Sequence, residues 1–306
     1  MISNASAWPE DAFYQSKHPY PFPDWERLAD QVERSQAPES RHAAWCDLAF
    51  LWMEKVRDVL PSGYSLHESA NFILLSRADR TKASELLLHL EKTNGKIKAA
   101  LGPLLPGKLQ GKCPAILFSE ENQFYDYVSM FFEEEEGSFG GMSGVYLNRG
   151  YGHFAMPSPD LARYAAVFAH ELCHAYLSHL PLPLWLNEAI TAGVEDAVEG
   201  SAPYHLNREI IARHRAYWSP ESIADFWEGH SFCYPDEGQE LSYHLARFIL
   251  QALYRGGETP KEVMDAFFLE ANYIDAGEAA AREILGISLG DCVSAILGEG
   301  SYEPRS

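Results

Sequence analysis

Ala169-His170-Glu171-Leu172-Cys173-His174-Ala175 sets two histidines four residues apart, with a glutamate directly after the first. Ala165, Ala166, Val167 and Phe168 precede it and Tyr176 and Leu177 follow, so the pattern predicts a strongly apolar helix over about 160–179. At about 100° per residue, His170 and His174 fall about 40° apart, one turn up the same face. Two imidazoles so placed can hold one tetrahedral metal, and Glu171 beside them can reach a water on it. Two histidines and a glutamate in so apolar a helix are costly to bury without partners. A metal supplies those partners, which favours this reading over two incidental histidines on a surface helix.

A catalytic zinc takes a third protein ligand and leaves its fourth position open. Downstream runs Leu180-Pro-Leu-Pro-Leu-Trp-Leu-Asn-Glu-Ala189, with Glu188 fourteen residues after His174. The prolines end the first helix, and a second is expected over about 184–199, with Glu188 in its first turn or so. Helices joined by so short a turn pack against each other, and a carboxylate there can face the histidine pair. The bland alternative is a first-turn glutamate favouring the helix dipole. Cys173 reads as a small core residue, because a cysteine ligand would close the site.

Upstream of this stretch the chain alternates. The first twenty or so residues, rich in proline and aromatics, read as an extended arm on the surface, followed by helices over about 23–36 and 40–60. Strands are expected at Asn71–Ser76, Cys113–Ser119, Val145–Asn148 and His153–Met156, with helices over 81–101 and 121–132 between them. The acidic run Glu133–Glu136 and the glycines at 137, 140, 141 and 144 read as a solvated loop. Beyond Pro159 the strand signal ends. Helical patterns cover about 160–179, 184–199, 204–217, 220–228, 238–255, 260–270, 276–285 and 289–298, so a small α+β unit precedes an all-helical one.

The 306 residues allow two domains, and 46% hydrophobic composition is that of a globular chain. Against 24 Lys+Arg stand 44 Asp+Glu, a net charge of -20, which argues against nucleic acid and anionic membrane as partners. Cys46, Cys113, Cys173, Cys233 and Cys292 form no CxxC pair, so no disulfide framework is expected and a reducing compartment is. No apolar run approaches the roughly 18 residues of a membrane span. The first residues show no basic segment followed by an apolar run, so no signal peptide is expected and the cytoplasm is the expected location.

His170-Glu-Leu-Cys-His174-Ala175 followed by Pro183-Leu-Trp-Leu-Asn-Glu188-Ala189 resembles the gluzincin metallopeptidases, most closely the peptidase MA-like family. Gly141–Leu147, Leu241–Leu250 and Ala281–Val293 are similar to further segments of that family, so the resemblance covers roughly 67–300. It implies an α+β fold in which a zincin-like catalytic lobe, a small mixed sheet plus the HExxH helix, is followed by an all-helical C-terminal lobe. The boundaries expected are 1–66 for the N-terminal arm and helices, 67–200 for the catalytic lobe and 201–306 for the helical lobe. It further implies one Zn2+ per chain held by His170, His174 and Glu188. Glu171 would be the general base in hydrolysis of peptide bonds of a peptide or protein substrate.

The family's oxyanion donor is often a tyrosine or histidine of the helical lobe. Tyr243 is the first choice, with a core tyrosine an equal alternative, and Tyr234 and His244 are reserves. Two departures stand out. Ala189 replaces the usual glycine, and Ala192 occupies the position where some gluzincins carry an aspartate that orients a zinc histidine, leaving Thr191, Glu195 and Asp196 as candidate substitutes. His153–Met156 is the expected edge strand for pairing with an extended peptide. The rival reading is a non-catalytic zinc-binding protein that holds a peptide or partner on the same scaffold.

Overall fold

The computed structural model describes residues 8–13, 19–106, 110–131, 144–157, 161–200, 207–254 and 257–305. The chain forms two compact units, one of residues 1–96 and 107–175 and the other of residues 97–106 and 176–306.

The first unit is α+β. Its helices are α1 (Trp25–Ser35), α2 (Arg41–Val59), α3 (Arg80–Leu101, as far as Lys96), α4 (Glu121–Val128) and α5 (Leu161–Leu177, as far as Ala175). Its strands are β1 (Ser65–Glu68), β2 (Phe72–Ser76), β3 (Cys113–Leu117), β4 (Val145–Leu147) and β5 (His153–Met156), in the order β1-β2-β3-β5-β4. The three inner strands run parallel, and β1 and β4 close the sheet antiparallel. Every residue of β2 is buried, as a strand covered on both faces requires.

Alternation divides β2 between two layers. Ile73 and Leu75 share a core with Trp45, Leu48, Trp52 and Val56 of α2 and Trp25, Leu28 and Val32 of α1. On the other face Phe72 and Phe154 meet Phe168 of α5, with ring centroids 5.4 and 4.7 Å apart. Helices therefore lie on both faces of one small mixed sheet.

The N-terminal residues belong to this core. Trp8, Phe13 and Tyr20 are buried in it, Glu10–Phe13 forms a 3-10 turn, and the Trp52 indole donates to the Pro21 carbonyl at 3.0 Å. This corrects the expected surface arm, at least over residues 8–13 and 19–24: four aromatics in so short a segment bury more favourably than they solvate.

His153 is a second correction. β5 is paired on both sides, with β3 and with β4, so it is an interior strand and the edge on that side is β4. His153 is fully buried. Its Nδ1 lies 2.8 Å from the Tyr151 carbonyl, which only accepts, so Nδ1 donates and Nε2 accepts the Tyr127 hydroxyl at 2.8 Å. Trp52 and Phe131 enclose the ring.

The second unit contains no strand among its described residues. Its helices are α6 (Leu184–Glu199), α7 (Arg208–Tyr217), α8 (Ile223–Trp227), α9 (Glu237–Leu253), α10 (Lys261–Glu270), α11 (Glu278–Ala280, followed by a π-turn over Ala281–Leu285) and α12 (Leu289–Leu297). Asn207 and Asp236 cap α7 and α9 by accepting the Ile210 and Gly238 amides. The buried stripe Leu241, Leu245, Phe248 and Ile249 of α9 makes it the central helix, packed on α6 and α12. His214 is buried on α7, its Nδ1 accepting the Trp218 indole N–H at 3.2 Å, which leaves Nε2 as a buried donor with no acceptor among the described residues. All five cysteines are free thiols. No helix among the described residues is long and apolar enough to cross a membrane.

Burial holds the pKa of His153 at about 4, below its ordinary 6.5, with the bond to the Tyr151 carbonyl opposing. Burial, then His244 and Arg213, bring His214 to about 4 as well. Between pH 6.5 and 4 the unfolded chain binds protons at these sites and the folded chain does not. Their contribution to stability is therefore complete above pH 6.5 and is lost as pH falls toward 4. His153→Gln is expected to flatten the slope of stability against pH in that window by up to about 1.4 kcal/mol per pH unit. Urea midpoints at pH 7, 5.5 and 4.5 measure it, and equal slopes in parent and variant would remove His153 as a source.

Candidate metal centre

The rotation of α5 is set by what it buries. Phe168 packs on Phe72 and Phe154 of the sheet, and Ala169, Leu172 and Cys173 are buried with it. His170 and His174 lie about 200° and 240° round the helix from Phe168 and are half-buried. Their Nε2 atoms are 3.0 Å apart, with ring centroids at 4.7 Å and planes at 81°.

Glu171 sits between them in sequence and returns toward the sheet. Its Oε2 accepts the Tyr146 backbone N–H at 2.8 Å. Tyr146 is in register with Phe154 on β4. Its N–H goes to Glu171 rather than to β5, so it is an outward-facing amide of the edge strand.

After α5 the chain turns at Leu180, whose N–H donates to the Leu177 carbonyl, and Pro181 and Pro183 prevent the helix from continuing. Pro183 is the N-cap of α6, and its carbonyl accepts the amides of Leu186 and Asn187. Glu188 lies in the second turn and is 7% exposed, an unusual depth for a glutamate.

His170 and His174 on α5 and Glu188 on α6 are the residues that could hold one metal ion. Two imidazole nitrogens and a carboxylate oxygen are the donor set of a gluzincin-type zinc. Nitrogens bound at about 2.05 Å in a tetrahedral site stand about 3.4 Å apart, against the 3.0 Å between these two. The two imidazole nitrogens are therefore within a few tenths of an ångström of the spacing that such an ion requires. Cys173 is buried and is not among these donors.

The remaining expected residues lie in the helical unit. Tyr243 is on α9, its ring edge-on to Phe232 at 5.2 Å. The Tyr234 hydroxyl hydrogen-bonds Asp225, which pushes its pKa up. His244 has its Nε2 3.9 Å from Glu240, and burial lowers its pKa. Of the substitutes for the missing aspartate, Asp196 is 3.5 Å from the Arg247 guanidinium, which ties α6 to α9. Thr191 is fully buried and Glu195 half-buried. His205, Glu133–Glu136 and Gly141–Ser143 lie outside the described residues.

A second group, Asp225, Glu228 and His230, brings three potential ligand atoms within 4.8 Å of one another. The sequence reading passed over its D-x-x-E-x-H spacing. Glu228 and His230 are open to water, which solvates them without an ion.

No protein-family model and no curated protein matches the sequence.

If the Phe168 ring seats α5 on the sheet, Phe168→Ala is expected to lower the stability of the chain by about 3–5 kcal/mol. Denaturant unfolding followed by far-UV circular dichroism checks this; a loss under about 1 kcal/mol would mean that the site tolerates the missing ring and α5 is held elsewhere.

Proposed function

We propose that this chain is a zinc-dependent metallopeptidase of the gluzincin type, with His170, His174 and Glu188 as ligands of one Zn2+ and Glu171 as the general base. The observation that carries the reading is the pair of imidazole Nε2 atoms 3.0 Å apart on one face of α5, on a stretch whose HExxH and Trp-Leu-Asn-Glu segments resemble that group.

Zinc, when bound, supplies the Lewis acidity that makes water a nucleophile near neutral pH. The chain's own residues do the rest. Glu171 takes the proton from the attacking water and returns it to the leaving amine. The Tyr146 amide holds that carboxylate at the sheet edge. Tyr243 is the proposed donor to the developing oxyanion.

The second reading, a zinc-holding protein that binds a peptide without cleaving it, is favoured by Ala192 and by the engagement of Asp196 with Arg247. Neither residue then orients a ligand histidine.

Elemental analysis of protein purified without a metal-affinity tag is expected to give about one zinc per chain, falling in Glu188→Ala. Glu171→Gln should keep its zinc and lose about 10²–10⁴-fold in cleavage of a mixed peptide library. Cleavage undiminished in that variant would end the proposed mechanism. Zinc with no cleavage of any library peptide by the parent would favour the second reading.

A further inference from the structure

The loop between α10 and α11, Ala271–Gly277, is unusually well built for a connection. The Asn272 side chain accepts the Ile274 amide at 3.0 Å, and the two carboxylate oxygens of Asp275 accept the amides of Gly277 and Ala279 at 3.0 and 2.8 Å. Ala276 is the one non-glycine residue at positive φ among those described, at 55°, followed by Gly277 at 83°. Backbone held this far from its preferred region is retained only where the surroundings determine it.

Those surroundings are the start of α6. The carbonyl of Ala276 accepts the indole N–H of the fully buried Trp185 at 2.9 Å. The amide of Tyr273 donates to the carbonyl of Pro181 at 2.9 Å. The Pro181–Pro183 turn has two residues with no amide of their own, so it draws this donor from the loop. Trp185 is the second residue of α6, and Glu188 follows three residues later, about 60° round the same side.

We propose that the Ala271–Gly277 loop is a brace on α6, and that Trp185 is the positioning residue through which it sets the direction of the Glu188 carboxylate. The inference rests on the zinc reading. A side-chain atom about 5–6 Å from a helix axis moves about 0.5 Å for 5° of rotation, while metal-ligand distances tolerate about 0.2 Å. A helix held at Pro181 and again at Trp185 cannot make that rotation. Groups that orient a ligand from behind typically change metal affinity by about 10–100-fold when removed.

The test is zinc affinity, measured by competition with a chromophoric chelator, in the parent, Trp185→Phe, Trp218→Phe and Glu188→Ala. Trp185→Phe keeps a ring and loses the N–H, and its zinc affinity is expected to fall about tenfold or more. Trp218→Phe removes a buried indole bond of the same unit, to His214. It should depress the melting temperature of the metal-free protein to a similar extent and leave zinc affinity within about twofold, as a merely structural role would in both variants. Parent and Trp185→Phe binding zinc equally would overturn the brace while leaving the site in place. A parent that takes up no zinc would overturn the site and the brace with it.

Should Trp185→Phe fail to fold, hydrogen exchange of the parent's indole N–H groups decides the matter. By reciprocity, saturation with zinc slows exchange at Trp185 if the brace and the ligand are coupled. Unchanged exchange there on saturation overturns the proposal.

Discussion

One helical turn between His170 and His174 is the constraint on which the site depends. Their Nε2 atoms stand 3.0 Å apart because a rise of about 1.5 Å per residue and about 100° of rotation leave side chains four positions apart on one face. The spacing gives two donors, and everything else gives them a direction. Phe168 against Phe72 and Phe154 fixes which way the helix faces, and β4 receives the Glu171 carboxylate. Elements distant in sequence thus serve a geometry that five consecutive residues initiate.

What was legible in the sequence follows the range of the interactions involved. The HExxH pattern and Glu188 belong to one local stretch, so spacing alone brings them forward as candidates. Phe72–Ser76 announced a strand by an unbroken apolar run buried on both faces. β1, Ser65-Leu-His-Glu68, has one aliphatic residue in four and lies at the sheet's margin, so it left no pattern to read; its pairing with β2 makes it a strand. Strand order was equally hidden, since the insertion of β5 between β3 and β4 rests on tertiary pairing, and His153 was accordingly read at the edge. The helix expected over 276–285 starts at Glu278 and ends in a π-turn, because two residues at positive φ precede it. The bond from Trp185 to Ala276 spans 91 residues, and no local pattern encodes it.

The histidines show why residue type alone does not disclose a role. His153 is buried with both ring nitrogens matched, one to a carbonyl and one to a hydroxyl, and its tautomer follows from those partners. His214 is as deeply buried, yet accepts from Trp218 at one nitrogen and at the other presents an N–H with no acceptor among the described residues, a recognised cost to a folded chain. His170 and His174 are half-buried and face each other. The same imidazole is a strut in the sheet core, a compromise in the helical core and a candidate ligand on α5, according to what surrounds it.

The sheet also ends abruptly on both sides. β4 offers three residues and β1 four. Glu68 on β1 is drawn into an ion pair with Lys112, and the Tyr146 amide of β4 is already bonded to a carboxylate. Short, charged or occupied margins give a neighbouring molecule little on which to extend a cross-β stack. With a net charge of -20 holding copies apart, the chain should tolerate high concentration without seeding fibrils, even though the fully buried strand β2 lies one place in from the β1 margin.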